Sequence, residues 1–320
     1  MPSATSAISR ALFRTLLLTL TMALALALVA AVLVAPRADA EAPATNRSSS
    51  SARKSSDDAS RAKVRIATFN VRNTLSPAAV SHDIRRLIDL GHPSIIGFQE
   101  RSGSRHAMRA ALPAHWRLVM PHDKPGNDLN PVAFDQRVWR YKQSRAALLT
   151  DRTFRRSRGN MAVNQYAVVV KLQNRETGGV VRVANFHMPP DVHNKQTGGP
   201  NYAHRDRVEA FWRMAASVRK LEETTPDAAQ FVATCDCNVR ADLDRTDLLV
   251  RGKITGPQKL RTNYDAEAPG RRRSIDYVMT QRHQPLRLKS WIYLDERGFN
   301  TDHPGVITRL KESRASSRNR

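Results

Sequence analysis

Thr234-Cys235-Asp236-Cys237-Asn238 ends an apolar run that begins at Gln230, and the rest of the chain can be read outward from it. Side chains alternate between the two faces of an extended strand, so Asp236 and Asn238 project together while Cys235 and Cys237 point the other way. Residues 230–235 therefore read as a buried strand that delivers two polar groups at its tip. The cysteines read as core residues. In an extended chain they stand about 7 Å apart, outside comfortable disulfide geometry, so a bridge requires a local distortion. Two cysteines are also too few for a disulfide framework, and without a further Cys or His pair they make an incomplete thiolate metal site.

Toward the N-terminus, short apolar strands alternate with amphipathic helices. Val64–Asn70 has the apolar and β-branched character of a buried strand and ends in a polar residue. Residues 77–90 place Val80, Ile84, Leu87 and Ile88 on one helical face and stop at Gly91 and Pro93. A strand over 94–99 then delivers Glu100. Two strands separated by one helix, each with a polar tip, form a β-α-β unit whose functional residues sit at the strand ends.

The middle of the chain changes rhythm. Residues 116–120, 132–135, 146–149, 166–172 and 180–187 read as strands, the last two joined by a turn over 174–179 that contains Gly178 and Gly179. This pattern implies antiparallel pairing. A helix over 204–223 carries Val208, Phe211, Trp212, Ala215, Val218 and Leu221 at helical spacing, and strands over 274–280, 287–294 and 305–310 complete the domain. No internal repeat of fixed period is present.

Polar residues recur at or just after these strands: Asn70, Glu100, His187, Asp236 with Asn238, and Asp276 with Asp302 and His303. The local sequences Ile66-Ala67-Thr68-Phe69-Asn70, Gly97-Phe98-Gln99-Glu100, Asn185-Phe186-His187, Cys235-Asp236-Cys237-Asn238, Ser274-Ile275-Asp276-Tyr277 and Thr301-Asp302-His303-Pro304 stand in one order. Over residues 64–310 that series resembles the endonuclease/exonuclease/phosphatase superfamily. Each motif is weak alone; six in the family's order are specific.

The resemblance implies an α/β fold, a four-layered α/β sandwich of two packed mixed β-sheets flanked by helices. It also implies a site. By this likeness Glu100 is the principal metal ligand, Asn70 helps to place the metal and Asp302 lies near it. His187 hydrogen-bonds the scissile phosphate, Asp236 orients or deprotonates the attacking water, and Asn238 stabilises the transition state. Asp276 holds and charges His303, as a carboxylate orients an imidazole in other catalytic pairs. Oxygen ligands of this kind suit Mg²⁺, with Mn²⁺ or Ca²⁺ as alternatives. The implied reaction is phosphoester hydrolysis by a metal-activated water.

Two positions depart from the family's nucleases. Where those carry a Glu partner for the first histidine and a phosphate-gripping Arg or Tyr, the nearest matches here are Asn130 and Asn164, and an amide supplies no formal charge. Arg205 and Arg207, within the basic segment 189–207, are the candidate substitutes for that grip. Trp139, Tyr141 and Trp291 are candidates for stacking bases, although aromatics more commonly serve packing.

Charge directs the choice of substrate. The chain has 52 Lys and Arg against 29 Asp and Glu, a formal +23. Setting aside residues 1–62, with seven basic and four acidic side chains, leaves 45 against 25, a formal +20 in the domain itself. A field of that sign concentrates polyanions. Nucleic acid is the expected partner, with DNA and RNA both open, and a monomer is the expected state. Two alternatives stay in view: a sphingomyelinase-like or inositol-phosphate phosphatase activity at a membrane lipid, and a non-catalytic basic nucleic-acid-binding protein on the same fold.

The first 40 residues read as a targeting segment. Arg10 and Arg14 precede an apolar run over 16–35, and Ala38-Asp39-Ala40 supplies a signal-peptidase pattern, so the expectation is a secreted, extracellular protein. The run, about 20 residues, is also long enough to hold the domain at the outer face of the cytoplasmic membrane as an uncleaved anchor. Residues 41–62 are Ser-rich and read as a disordered linker, 63–310 as the domain, and 311–320 as a basic disordered tail.

Overall fold

Strand β1 (Val64–Asn70) and strand β2 (Ile95–Gln99) pair in parallel, with Thr68 opposite Gly97 and Asn70 opposite Gln99. Helix α1 (Pro77–Gly91) makes the crossover between them. Its start is fixed by Ser76, whose hydroxyl accepts from the Ala79 N–H, and by Pro77 in the first turn, where a missing N–H costs nothing. It stops at His92, which adopts a left-handed φ of 45° and returns its N–H to the Ile88 carbonyl. The face bearing Val80, Ile84 and Leu87 packs on the outer side of β1 and β2.

This computed structural model describes residues 64–100, 105–120, 130–155, 161–194, 196–239, 260–262, 275–281, 286–294, 298–303 and 305–312. The targeting segment, the linker and the tail beyond residue 312 lie outside them. Among the described residues no helix is long and apolar enough to cross a membrane.

The remaining elements are helix α2 (Arg105–Ala111), strands β3 (Trp116–Val119), β4 (Val132–Asp135), β5 (Trp139–Thr150), β6 (Phe154–Arg155), β7 (Met161–Ala162), β8 (Gln165–Asn174) and β9 (Val180–His187), helix α3 (Arg205–Glu223), and strands β10 (Ala229–Asp236), β11 (Leu260–Thr262), β12 (Asp276–Gln281), β13 (Leu286–Leu294) and β14 (Gly305–Glu312). They form two six-stranded sheets, ordered β13-β14-β1-β2-β4-β3 and β11-β12-β10-β9-β8-β5, and a small β6-β7 ribbon. Both large sheets are mixed, since β1 with β2 and β9 with β10 are parallel among antiparallel neighbours. The middle strands therefore divide between two sheets. The last strand runs to Glu312, two residues into the segment expected to be tail.

The layers follow from strand alternation. Val64, Ile66, Ile95, Val132 and Phe134 of the first sheet meet Val168, Val170, Val183, Val232 and Val278 of the second in a dry inter-sheet core. On the outer face of the second sheet, Val208, Phe211, Met214, Ala215 and Val218 of α3 pack over Ala167, Ala184, Phe186, Phe231, Ala233, Cys235 and Tyr277. Helix, sheet, sheet and helix make the four-layered sandwich.

Polarity on the inner face is graded along the strands. Beyond the valines and isoleucines, Thr68, Gln99, Asn185 and Thr234 are buried together and satisfy one another. Gln99 Nε2 donates to Thr68 Oγ1 at 3.0 Å and Asn185 Oδ1 at 2.6 Å, Thr234 Oγ1 donates to the same Asn185 oxygen, and Asn185 Nδ2 donates to the Phe98 and Pro131 carbonyls. Gly97 lies against this network so closely that an added Cβ would fall 2.1 Å from Thr234 Oγ1. One step further along the same strands the side chains become ionisable.

Candidate active site

The two parallel pairs end side by side, and the ends carry the site. Asn70 closes β1, Glu100 follows β2, His187 closes β9, and Asp236 closes β10 in register with both His187 and Asp276. Crevices at the carboxyl ends of parallel strands are where α/β sheets place ligands. Backbone strain gathers here too. Arg72, Glu100 and Asn238 hold φ values of 48°, 49° and 53°, a region that L side chains enter at a cost and that functional sites commonly retain.

Asn70 organises the carboxylates. Its Nδ2 donates to Asp236 Oδ2 at 2.9 Å and Glu100 Oε1 at 3.3 Å, while its Oδ1 accepts from the Arg72 N–H. The amide thus faces Glu100 and Asp236 with its donor end and would act on a metal only through them. His187 Nε2 lies 3.2 Å from Asp236 Oδ2 and 4.0 Å from Glu100 Oε1, and Asn238 Nδ2 approaches the same nitrogen at 2.9 Å. Across the cleft, His303 Nδ1 meets Asp276 Oδ2 at 2.9 Å, leaving Nε2 facing Asp236 Oδ2 at 3.9 Å.

These neighbours set the protonation states. Burial alone would raise the Asp236 carboxyl, but the charges of His187 and His303 and the hydrogen bonds from His187 and Asn70 outweigh it and hold it down to about 2. Burial likewise opposes a charged His303, yet Asp276 and Asp236 lift it to about 10. His187 also rises, because Asp236 and Glu100 overcome its desolvation. Asp276 rises as well: its complete burial and the Asp236 charge raise it to about 6 against the pull of His303. The two members of the His303–Asp276 pair move in the same direction for different reasons, and between about 6 and about 10 both are charged.

The two cysteines differ from the sequence expectation. Cys235 and Cys237 are buried as expected but are joined by a disulfide, with Cα atoms 5.3 Å apart. The strand stops at Asp236, the residue whose backbone torsions set the distance between its two neighbours, and the departure from extended geometry there shortens the span that a continued strand would keep near 7 Å. Asn238 consequently does not reach the site by strand alternation. Its N–H donates to Asp236 Oδ1 at 3.0 Å, and its side chain spans His187 Nε2 and the Met188 carbonyl.

Other expected positions are spread more widely. Asp302 is exposed and pairs with Arg72 at 3.3 Å, outside the two groups of converging ligand atoms among the described residues. Asn130 is buried, with Nδ2 directed at the Tyr166 carbonyl, and Asn164 is exposed at a left-handed φ of 36°. Arg205 pairs along the exposed face of α3 with Glu209. Arg207 is a structural strut: it is 5% exposed, donates to the Arg155 carbonyl at 2.6 Å and pairs with Asp191 at 2.7 Å. Trp139 is buried with Nε1 on Ser94 Oγ, and Tyr141 lies under Arg117, so both serve packing; the Trp291 side chain lies outside the described residues. The cation at the site that sequence reasoning passed over is Arg72. Its position two residues past the Asn70 strand tip was the available signal.

The donor set fits a divalent cation. Glu100, His187 and Asp236 offer ligand atoms within 4.8 Å of one another, as do Asp236, Asp276 and His303. In the second group the donors are committed to the His303–Asp276 pair. The first group combines two carboxylates aimed by one amide, the oxygen-rich arrangement that Mg²⁺ accepts while keeping several waters.

No protein-family model and no curated protein matches the chain. Solved structures do. An endonuclease/exonuclease/phosphatase from Bacteroides vulgatus superposes with a TM-score of 0.57 at 18% identity, covering 79% of this chain and 100% of its own. D. rerio TDP2 complexed with a single-strand DNA product gives 0.54 at 13% identity, over 78% and 99%. A mannosyl-6-phosphatase from Bacteroides thetaiotaomicron gives 0.53 at 16% identity, over 78% and 99%. The fold is that of the endonuclease/exonuclease/phosphatase proteins.

Proposed function

We propose that this chain, built on the endonuclease/exonuclease/phosphatase fold, is an exported, divalent-metal-dependent phosphodiesterase whose substrate is nucleic acid. The observation that carries the reading is Asp236, held ionised at about 2 between two histidines at the junction of both sheets. A carboxylate so placed accepts a hydrogen bond from a water and orients it for in-line attack on phosphorus. His303, charged and backed by Asp276, presents Nε2 to a phosphoryl oxygen and opposes the charge that gathers there. His187 and Asn238 supply further donors beside Asp236. Glu100 and Asp236 would hold a divalent cation, which would supply Lewis-acid polarisation of the phosphoryl group and a lowered pKa for water.

Support for nucleic acid comes from the domain's 45 basic against 25 acidic residues and from the DNA product in the TDP2 structure. Support for export comes from Arg10, Arg14, the apolar run over 16–35 and Ala38-Asp39-Ala40. The test is a substrate panel with the purified protein: DNA, RNA, sphingomyelin vesicles, inositol phosphates and mannose 6-phosphate, each with Mg²⁺ or with a chelator. Mg²⁺-dependent cleavage of DNA or RNA that is lost in Asp236→Ala and His303→Ala is the expected outcome. Cleavage that survives both substitutions would overturn the assigned roles, and turnover of the lipid or sugar phosphates alone would overturn the substrate.

A further inference from the structure

The loop that ends in Thr301, Asp302 and His303 does not position itself; helix α1 holds it. Asp83 lies on the buried face of α1, with no solvent exposure, among side chains that are otherwise apolar. Burying a carboxyl group is costly unless its oxygens are hydrogen-bonded. Here every observed donor but one comes from the loop. The Asn300 N–H lies 2.9 Å from both carboxylate oxygens, Asn300 Nδ2 donates to Oδ1 at 2.8 Å, and the Thr301 N–H donates to Oδ2 at 3.0 Å. The remaining contact is with His82 Nδ1, at 3.1 Å.

One turn along the helix, Arg86 stacks over the Phe299 ring, which itself packs on Phe69 of β1. Arg86 also fills the space where a Cβ on Gly298 would stand, and Gly298 has a left-handed φ of 83°. Asp83 and Arg86 thus grip the loop just before the site residues. The grip is transmitted by Thr301. Its hydroxyl donates to the Asn70 carbonyl at 2.9 Å and accepts from the His303 N–H at 3.2 Å. Asp83 therefore connects through one residue to the strand tip that carries Asn70 and to the backbone of His303.

We infer that Asp83 is a positioning residue, which through Thr301 sets His303 against Asp276 and Asp236. This inference rests on the phosphodiesterase reading for its effect on turnover but not for its effect on the loop. A displacement of about 1 Å in a group that meets the reacting atoms can cost on the order of 10²-fold in rate. Packing alone would make no such demand on Asp83.

The experiment compares the full chain with Asp83→Asn, Thr301→Val and Thr301→Ser, using bis(p-nitrophenyl) phosphate and a DNA oligonucleotide as substrates. Steady-state kinetics is read beside amide hydrogen exchange over residues 298–303. Asp83→Asn is expected to lower kcat roughly 10- to 100-fold while KM stays within about 3-fold, and to speed exchange at Asn300 and Thr301 by about 10-fold or more. Thr301→Val should follow it, and Thr301→Ser, which keeps the hydroxyl, should restore kcat to within about 3-fold of the parent. Unchanged exchange in Asp83→Asn overturns the proposal. So does faster exchange with unaltered kcat, or a serine variant as impaired as the valine. If Asp83→Asn does not fold, the Thr301 pair decides by itself. Should the parent hydrolyse neither ester, the functional reading fails; exchange protection lost in Asp83→Asn still supports the loop assignment, and protection retained overturns it.

Discussion

Asp236 answers to four neighbours at once: Asn70 Nδ2 and the Asn238 N–H donate to it, His187 lies against it, and His303 faces it from the other side. Asp236→Asn keeps the volume but removes the charge that both imidazoles answer to. Its kcat should fall by roughly 10²- to 10⁴-fold with native far-UV circular dichroism, as measured on whichever nucleic acid proves to be the substrate. His303 supplies a second prediction, one of pH. A histidine whose folded value is raised contributes stability that is fully present below its unfolded value of 6.5, declines above it, and is gone past about 10. In chelated protein, the gap in urea midpoint between the parent and His303→Gln should be widest near pH 6 and close toward pH 10, on the order of the shift cited. A gap that widens with rising pH would contradict the His303–Asp276–Asp236 arrangement. Asp236 adds the opposite edge: its depressed value contributes stability present above about 4 and lost as pH falls through about 2.

Individual elements explain why this site forms where it does. The inner faces of β1, β2, β9 and β10 pass from valine and isoleucine, through the Thr68–Gln99–Asn185–Thr234 network, to the amide of Asn70 and the ionisable Glu100, His187 and Asp236. Gly97 is where the sheets approach too closely for any side chain, since Thr234 Oγ1 and Asn185 Oδ1 stand 2.1 and 2.6 Å from an added Cβ. Gly97→Ala must therefore displace two buried, mutually bonded polar groups, and should cost about 2–4 kcal/mol in urea denaturation. The fully buried strands were legible: the bounds of β1, β4 and β9 coincide with their apolar runs. The edge strand β5 was only half legible. Its first half exposes Arg140, Lys142, Gln143 and Arg145 and pairs with β8 alone, so no inward alternation marks it. The cysteine bridge escaped for another reason, because it depends on the chain leaving extended geometry at Asp236, the strand's last residue, which strand periodicity does not encode. The denatured protein should accordingly expose no titratable thiol until a reductant is added; free thiols without reductant would restore the packing-only reading. The burial and the partners of Arg207 and Asn130, both candidates for substrate binding, were not legible, because a basic or amide side chain in a polar segment looks alike whether it is buried or solvated.

At the scale of the whole molecule, long-range charge is the feature that bears on the proposed nucleic-acid substrate. The same fold occurs in a protein solved with a DNA product and in a mannosyl-6-phosphatase, so fold alone leaves the ester open. This chain carries a formal +20 over residues 63–320, left when the first 62 are set aside. If that charge serves a polyanion, each phosphate neutralised along the substrate releases counterions, and log KM should rise with log salt at a slope near 0.9 per contact on duplex DNA and about 0.7 on single strands. A small diester spans no more than the central site and should be almost insensitive. Raising salt from about 50 to about 200 mM should therefore weaken kcat/KM for a DNA or RNA oligonucleotide by at least about 10²-fold, and for bis(p-nitrophenyl) phosphate by less than about 3-fold. Arg72 belongs to this field and stands next to the site, two residues past Asn70 and exposed beside Asp302. Arg72→Ala should flatten the oligonucleotide salt slope by about one contact while changing turnover of the small ester little. Equal salt sensitivity for both substrates would mean that the basic surface is not used in binding substrate, and would move the assignment toward a small phosphoester.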